Sequence, residues 1–154
     1  MSHAFSKILV GTLIIAALTA TLAEAAGTSD NTAPAETAAS AYDEAKTLVD
    51  AGNYAAALPK LVSLTQAQAK YADAWNLLGF TYRKLGQMDD SSKAYLVVLS
   101  INPNHLGALE YQGELFISTG KIDLAKGNLA KLKALCGSCE QSEDLEKALQ
   151  AVGA

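Results

Sequence analysis

The residues with most chemistry to offer are two cysteines and two histidines, and their spacing limits what that chemistry can be. Cys136-Gly137-Ser138-Cys139 is a CxxC pair. A c-type haem attachment would need His at position 140, where Glu stands. A zinc centre would need two further ligands at suitable spacing, and the sequence has none. A thioredoxin-like redox motif has the same spacing but sits where a strand meets a helix, and no strand pattern precedes Cys136. The expectation is a structural disulfide between Cys136 and Cys139, with Gly137 easing the tight turn. Closing so short a loop constrains the unfolded chain little, so its gain is local. Thiol–disulfide exchange and free thiols stay open as alternatives.

His105 follows Pro103 and Asn104 in a loop and is expected to be solvent-exposed; His3 lies at the N-terminus. There is no Ser-His-Asp set, no paired acid and base, and no glycine-rich phosphate loop. Gly107 and Gly113 fall where helices pair and do not form a nucleotide fingerprint. The reading is therefore non-enzymatic, with no catalytic residue, no metal and no cofactor expected.

Composition narrows the partners. Half of the 154 residues are apolar but only 6% are aromatic, a balance that favours close-packed helices over strands. Twelve Lys and Arg against sixteen Asp and Glu leave a formal charge of −4, which argues against nucleic acid as the partner.

The N-terminus reads as an address. A short basic start (Met1 to Lys7) precedes an apolar stretch from Ile8 to Leu22, and then Ala23-Glu24-Ala25 forms a small-x-small cleavage site. Residues 1–25 are read as a signal peptide, cut between Ala25 and Ala26. The apolar stretch is short for a span needing about 20 residues, so no stable membrane insertion is expected after cleavage. The expected location is the bacterial periplasm or the medium. Residues 26–37 show no apolar period and are read as a flexible linker.

What must position any binding residue is a repeat. Gly52, Gly86 and Gly120 are equally spaced, and other columns keep the same phase. Small residues recur at Ala45, Gly79 and Gly113, and again at Ala57, Ser91 and Ala125. Apolar residues recur at Tyr54, Met88 and Ile122; bulky ones recur at Leu61, Tyr95 and Leu129, and at Leu64, Val98 and Leu132. This is the pattern of a helical hairpin: a glycine releases the first helix, small columns let two helices approach, and bulky columns fill the space between hairpins. One hairpin cannot bury its apolar face alone, so the units should stack. Pro59, early in the second helix of the first unit, is expected to kink or delay that helix. Ser142 to Leu149 reads as one more helix, capped by Ser142, with a stripe of Leu145, Ala148 and Leu149.

The middle unit, with Trp75, Leu78, Gly79, Tyr82, Gly86, Ser91, Tyr95 and Pro103, resembles the tetratricopeptide repeat (TPR) family. The third unit keeps Gly113, Phe116, Gly120 and Ala125 but has Leu109 for Trp; the first, with Ala41 for Trp and Ala69 for Pro, is degenerate. The resemblance implies an all-α, right-handed solenoid of three hairpins, 38–71, 72–105 and 106–139, closed by a capping helix in 140–154. It also implies a concave groove lined by first helices that takes a peptide or helix of a protein partner. Mapped onto this chain, the groove positions are Tyr42 and Lys46, then Asp73, Asn76, Phe80, Arg83 and Lys84, then Glu110, Glu114 and Ile117. Phe80 is expected as an exposed aromatic anchor. Some members clamp a C-terminal carboxylate with a set of Lys, Asn and Arg; Lys46 and Asn76 occupy neighbouring surface, but the set is incomplete. The expectation is an exported adaptor or scaffold. A thiol–disulfide exchanger using the CxxC pair and a weakly self-associating protein, joined through an open N-terminal face, are the alternatives.

Overall fold

The computed structural model describes residues 33–154, with side-chain surroundings from Ala38 onward. The expected signal peptide and its Ala25–Ala26 cleavage point lie outside the described residues. Those described form seven helices: α1 (Ala33–Asp50), α2 (Tyr54–Ala67), α3 (Ala72–Lys84), α4 (Met88–Ile101), α5 (Leu106–Ser118), α6 (Ile122–Cys136) and α7 (Glu140–Ala151).

The first helices of the hairpins end alike for a local reason. Gly52, Gly86 and Gly120 have φ of 73°, 76° and 74°, a region costly for any residue with a Cβ. Each of the residues that follow returns its N–H to a carbonyl of the preceding turn: Asn53 to Leu48 at 2.8 Å, Gln87 to Tyr82 at 2.9 Å and Lys121 to Phe116 at 2.7 Å. This is the Schellman closure, which satisfies carbonyls the helix leaves free. Helix α7 ends the same way, with Gly153 at φ 73° and Ala154 bonded to Leu149.

Inside each hairpin the small columns meet. Ala45, Ala57, Ala125 and Ser91 are fully buried, and the Ser91 hydroxyl donates to the Gly79 carbonyl at 2.8 Å. A Cβ on Gly79 would lie 2.7 Å from the Tyr95 ring, so the ring occupies the space that glycine vacates. Gly113 does the same for the next layer, where a Cβ would lie 2.5 Å from Leu145 of α7. Bulky columns then join hairpins: Tyr95 and Val98 of α4 pack with Ala108 and Leu115 of α5, beside Trp75. The last cluster unites Leu109, Ala125 and Leu132 with Leu145 and Leu149, so α7 covers the third hairpin.

Four local expectations need correction. Helix α1 begins at Ala33, inside the stretch 26–37 read as linker. Alanine is the strongest helix former, and Pro34 sits in the first turn, where its missing N–H costs nothing. Helix α2 starts at Tyr54, in register with Met88 and Ile122, so Pro59 delays nothing. Ser142 does not cap α7: Cys139 holds the cap position, and the buried Ser142 hydroxyl donates to the Gly137 carbonyl at 2.7 Å. His105 is not a bare loop residue. Its Nδ1 accepts from the Ala108 N–H at 3.1 Å, capping α5, and its Nε2 lies 2.8 Å from the Asp73 carboxylate. One imidazole thus ties the second hairpin to the third.

Candidate protein-binding groove

Three first helices and the start of α2 enclose a hollow of about 360 Å³, lined by Tyr42, Lys46, Tyr54, Asn76, Phe80 and Tyr111 among others. The repeat explains the convergence. Tyr42 and Asn76 hold the same repeat position in consecutive first helices, as do Lys46 and Phe80, so equal positions line up across the array.

Aromatic rings form its floor. Phe80 lies between two tyrosines, with ring centroids 6.1 Å from Tyr54 in an edge arrangement and 5.0 Å from Tyr111. Such pairs contribute about 0.5–1.5 kcal/mol each beyond area burial. The Arg83 guanidinium sits 5.4 Å from the Phe80 centroid and 5.9 Å from that of Tyr111; the Lys84 ammonium is 5.1 Å from Phe80. Phe80 is therefore half-buried among partners, and the expectation of a freely exposed anchor is corrected. What it offers is one ring in a small aromatic surface with cations along its edge.

The charges divide by position. Lys46 pairs with Asp50 at 2.6 Å on open surface, whereas Arg83 and Glu114 form an ion pair with side chains only 14% and 26% exposed. Asp73 is drawn to His105 and serves the hairpin junction. Ile117 packs into the cluster around Leu145 and Leu149, against the expectation that it faces the groove. Glu110 is buried at 8% exposure, and burial pushes its carboxyl up to about 8, helped by Glu114, Asp144 and Glu140 and opposed by Arg83. Burial, then Asp73, pushes the Tyr42 phenol up to about 12, so it remains a neutral donor. Two polar atoms here are buried without a hydrogen-bond partner among the described residues: Asn76 Oδ1 and Arg83 Nε. Unsatisfied acceptors and donors of this kind are uncommon in folded chains.

Sequence reasoning did not find Tyr54 or Tyr111. Tyr111 occupies the repeat position of Leu77, which also lines the hollow, so the repeat offset alone pointed to it. Asp144 was missed as well. It is the fourth member of the column Tyr42, Asn76, Glu110, because α7 starts one full repeat after α5 and so takes the place of a further first helix.

A larger hollow of about 630 Å³ lies on the outer face of the first hairpin, lined by Ala38, Ala41, Pro59, Leu64 and Ala67 with Glu44 and Lys60. Its two charges pair with each other at 2.8 Å, and it contains no aromatic ring. At the far end of the array, Cys136 closes α6 and Cys139 opens α7. Their sulfurs are joined, with Cα atoms 5.7 Å apart, across Gly137 at φ 65°. The pair sits at a corner between helices rather than in the aromatic hollow.

Residues 48–113 match the tetratricopeptide repeat family model. Cellulose synthase 1 operon protein C of Komagataeibacter xylinus is 30% identical over 94 residues, which is 61% of this chain and 7% of that protein; the chain spans only that small share of this curated relative. Among solved structures, the Yersinia enterocolitica type III secretion chaperone SycD in complex with a peptide of the translocator YopD superposes with a TM-score of 0.68 at 17% identity, covering 77% of this chain and 93% of that one. The second TPR domain of human RPAP3, in complex with the HSP70 peptide SGPTIEEVD, gives 0.67 at 19% identity, covering 75% and 97%. These likenesses show the fold.

Proposed function

We propose that this chain, of which residues 48–113 match the tetratricopeptide repeat family model, is an exported, non-enzymatic adaptor that holds a segment of a partner protein in the groove between α1, α3 and α5. The observation that carries this reading is the aromatic surface of Tyr54, Phe80 and Tyr111 beside a buried, unpartnered Asn76 carbonyl oxygen. Apolar rings gain from being covered, and an extended peptide or helix covers them. SycD and RPAP3, which share the fold, have been solved in complex with peptides, in keeping with a peptide-holding role for this chain. Export rests on the sequence of residues 1–25, and the Cys136–Cys139 disulfide fits an oxidising compartment. In this reading the disulfide fixes the α6–α7 corner and takes no part in exchange chemistry.

The test is site-specific photo-crosslinking in the native cell, with the probe at Lys46 on the groove rim and a control at Lys93 on α4. A defined adduct from Lys46 alone supports the groove and identifies the partner by mass. Equal or absent crosslinking at the two positions overturns it, and a dimer-sized adduct from Lys60, beside the outer hollow, would instead favour self-association.

A further inference from the structure

The groove is not uniform along its length, and the difference bears on what sort of segment fits it. Across the four first-helix positions the column runs Tyr42, Asn76, Glu110, Asp144: a ring, an amide, then two acidic side chains. Glu114 and Glu140 lie near enough to raise the Glu110 carboxyl further. The cations around them are engaged. Arg83 pairs with Glu114, Lys147 with Asp144 at 3.0 Å, and Lys133 with Glu146 at 2.6 Å. Glu110, more than nine-tenths buried, is left without a counter-ion among the described residues.

Glu110, buried as a residue and with no cation paired to it among the described residues, stands one repeat along from a buried amide oxygen with no donor. Gly107 contributes to it: a Cβ there would lie 3.0 Å from Asn76 Nδ2, so the missing side chain lets that amide sit close beneath α5. An acidic segment would add like charge to this end, whereas an Arg or Lys would supply what is lacking.

Taking the groove reading as its basis, we propose that the partner segment presents a cationic side chain, Arg or Lys, to Glu110 and Asp144, with an adjacent apolar residue on Phe80 and Tyr111. Binding of the cation stabilises the ionised form of Glu110, which in the free protein is protonated below about pH 8. Association therefore releases a proton and tightens as pH rises. This occupant differs from the acid-ended peptide that accompanies RPAP3.

The experiment is selection of random displayed peptides on the full chain, followed by affinity measurements with the synthetic peptides selected. The comparison proteins are Glu110→Gln, Phe80→Ala and, as an outer-face control, Glu143→Gln, with SGPTIEEVD as an acidic probe. The expected result is enrichment of Arg or Lys beside an apolar residue, and affinity that falls about tenfold in Glu110→Gln but not in Glu143→Gln, as a charge-assisted bond predicts. Affinity should also strengthen from pH 6 to 8.5. Peptides that need Phe80 but show no cation preference, bind Glu110→Gln equally, give a flat pH profile, or resemble SGPTIEEVD overturn the inference while leaving the groove intact. Failure to obtain any peptide sensitive to Phe80→Ala overturns the groove reading and the inference together. Glu110→Gln is isosteric and removes a buried ionisable group, so loss of folding does not confuse the outcome; circular dichroism checks it.

Discussion

The two halves of the groove use charge for opposite purposes. In the N-terminal half, Lys46 and Asp50 pair where 50% and 61% of their side chains are exposed, and water screens the attraction. In the C-terminal half, Arg83 and Glu114 pair under cover of Tyr111 and Phe80, next to the buried Glu110. The repeat aligns backbones, but solvent access decides what a charge is worth. The first half is an adaptable rim; the second is built into the packing.

Substitutions can break this contrast. Arg83→Met should have the largest effect, about 2–3 kcal/mol of lost stability in chemical denaturation, because Glu114 is left without its partner beside the Glu110 carboxyl. Arg83→Met with Glu114→Leu should recover most of that loss; failure to recover would show that Arg83 acts chiefly through its stacking on Phe80 and Tyr111. Glu110→Gln comes next, and its signature is a pH profile. The folded carboxyl titrates at about 8 against an ordinary 4.5, so the native state holds a proton that the unfolded chain releases between those values. Wild-type stability should therefore fall as pH rises through that window and level off above it, while the variant shows no such decline and is more stable by about 1–2 kcal/mol at pH 8.5. Equal slopes in the two proteins would contradict burial of Glu110. Lys46→Met should change stability least, by about 0.5 kcal/mol or less, since its ion pair is an exposed helical one. A loss comparable to that of Arg83→Met would remove the distinction between the halves.

The hairpins were legible because their cause is periodic and local. A glycine once per repeat announced three Schellman closures, and the pairing of small with small at Ser91 followed from the columns, whereas Tyr95, expected between hairpins, also fills the space at Gly79 within its own hairpin. The groove was only partly legible. Tyr42, Lys46, Asn76 and Phe80 converge, but Tyr54 enters from the start of a second helix and Tyr111 from a first-helix position that was not among the expected groove residues. Asp144 was hidden by treating α7 as a lid, although its start keeps the repeat interval. His105 was beyond sequence reasoning altogether: its role depends on Asp73, far earlier in the chain, reaching it across a hairpin junction. Ile117 shows the reverse error, since its helical phase allowed the groove, but α7 offers it an apolar surface to cover instead.

Every helix from α1 to α7 packs only on its immediate neighbours along the array or on the next helix but one. No contact ties one end of this stack to the other, so opening one hairpin costs the interface it shares with the next and nothing further away. Fluctuations then begin at the ends and travel inward, and α3 with α4, flanked on both sides, opens last. Phe80 and Arg83 lie on α3. The part of the groove that grips is thus carried by the segment whose backbone amides should exchange with solvent most slowly, while the rim at Lys46 sits on a helix free to breathe as a partner arrives.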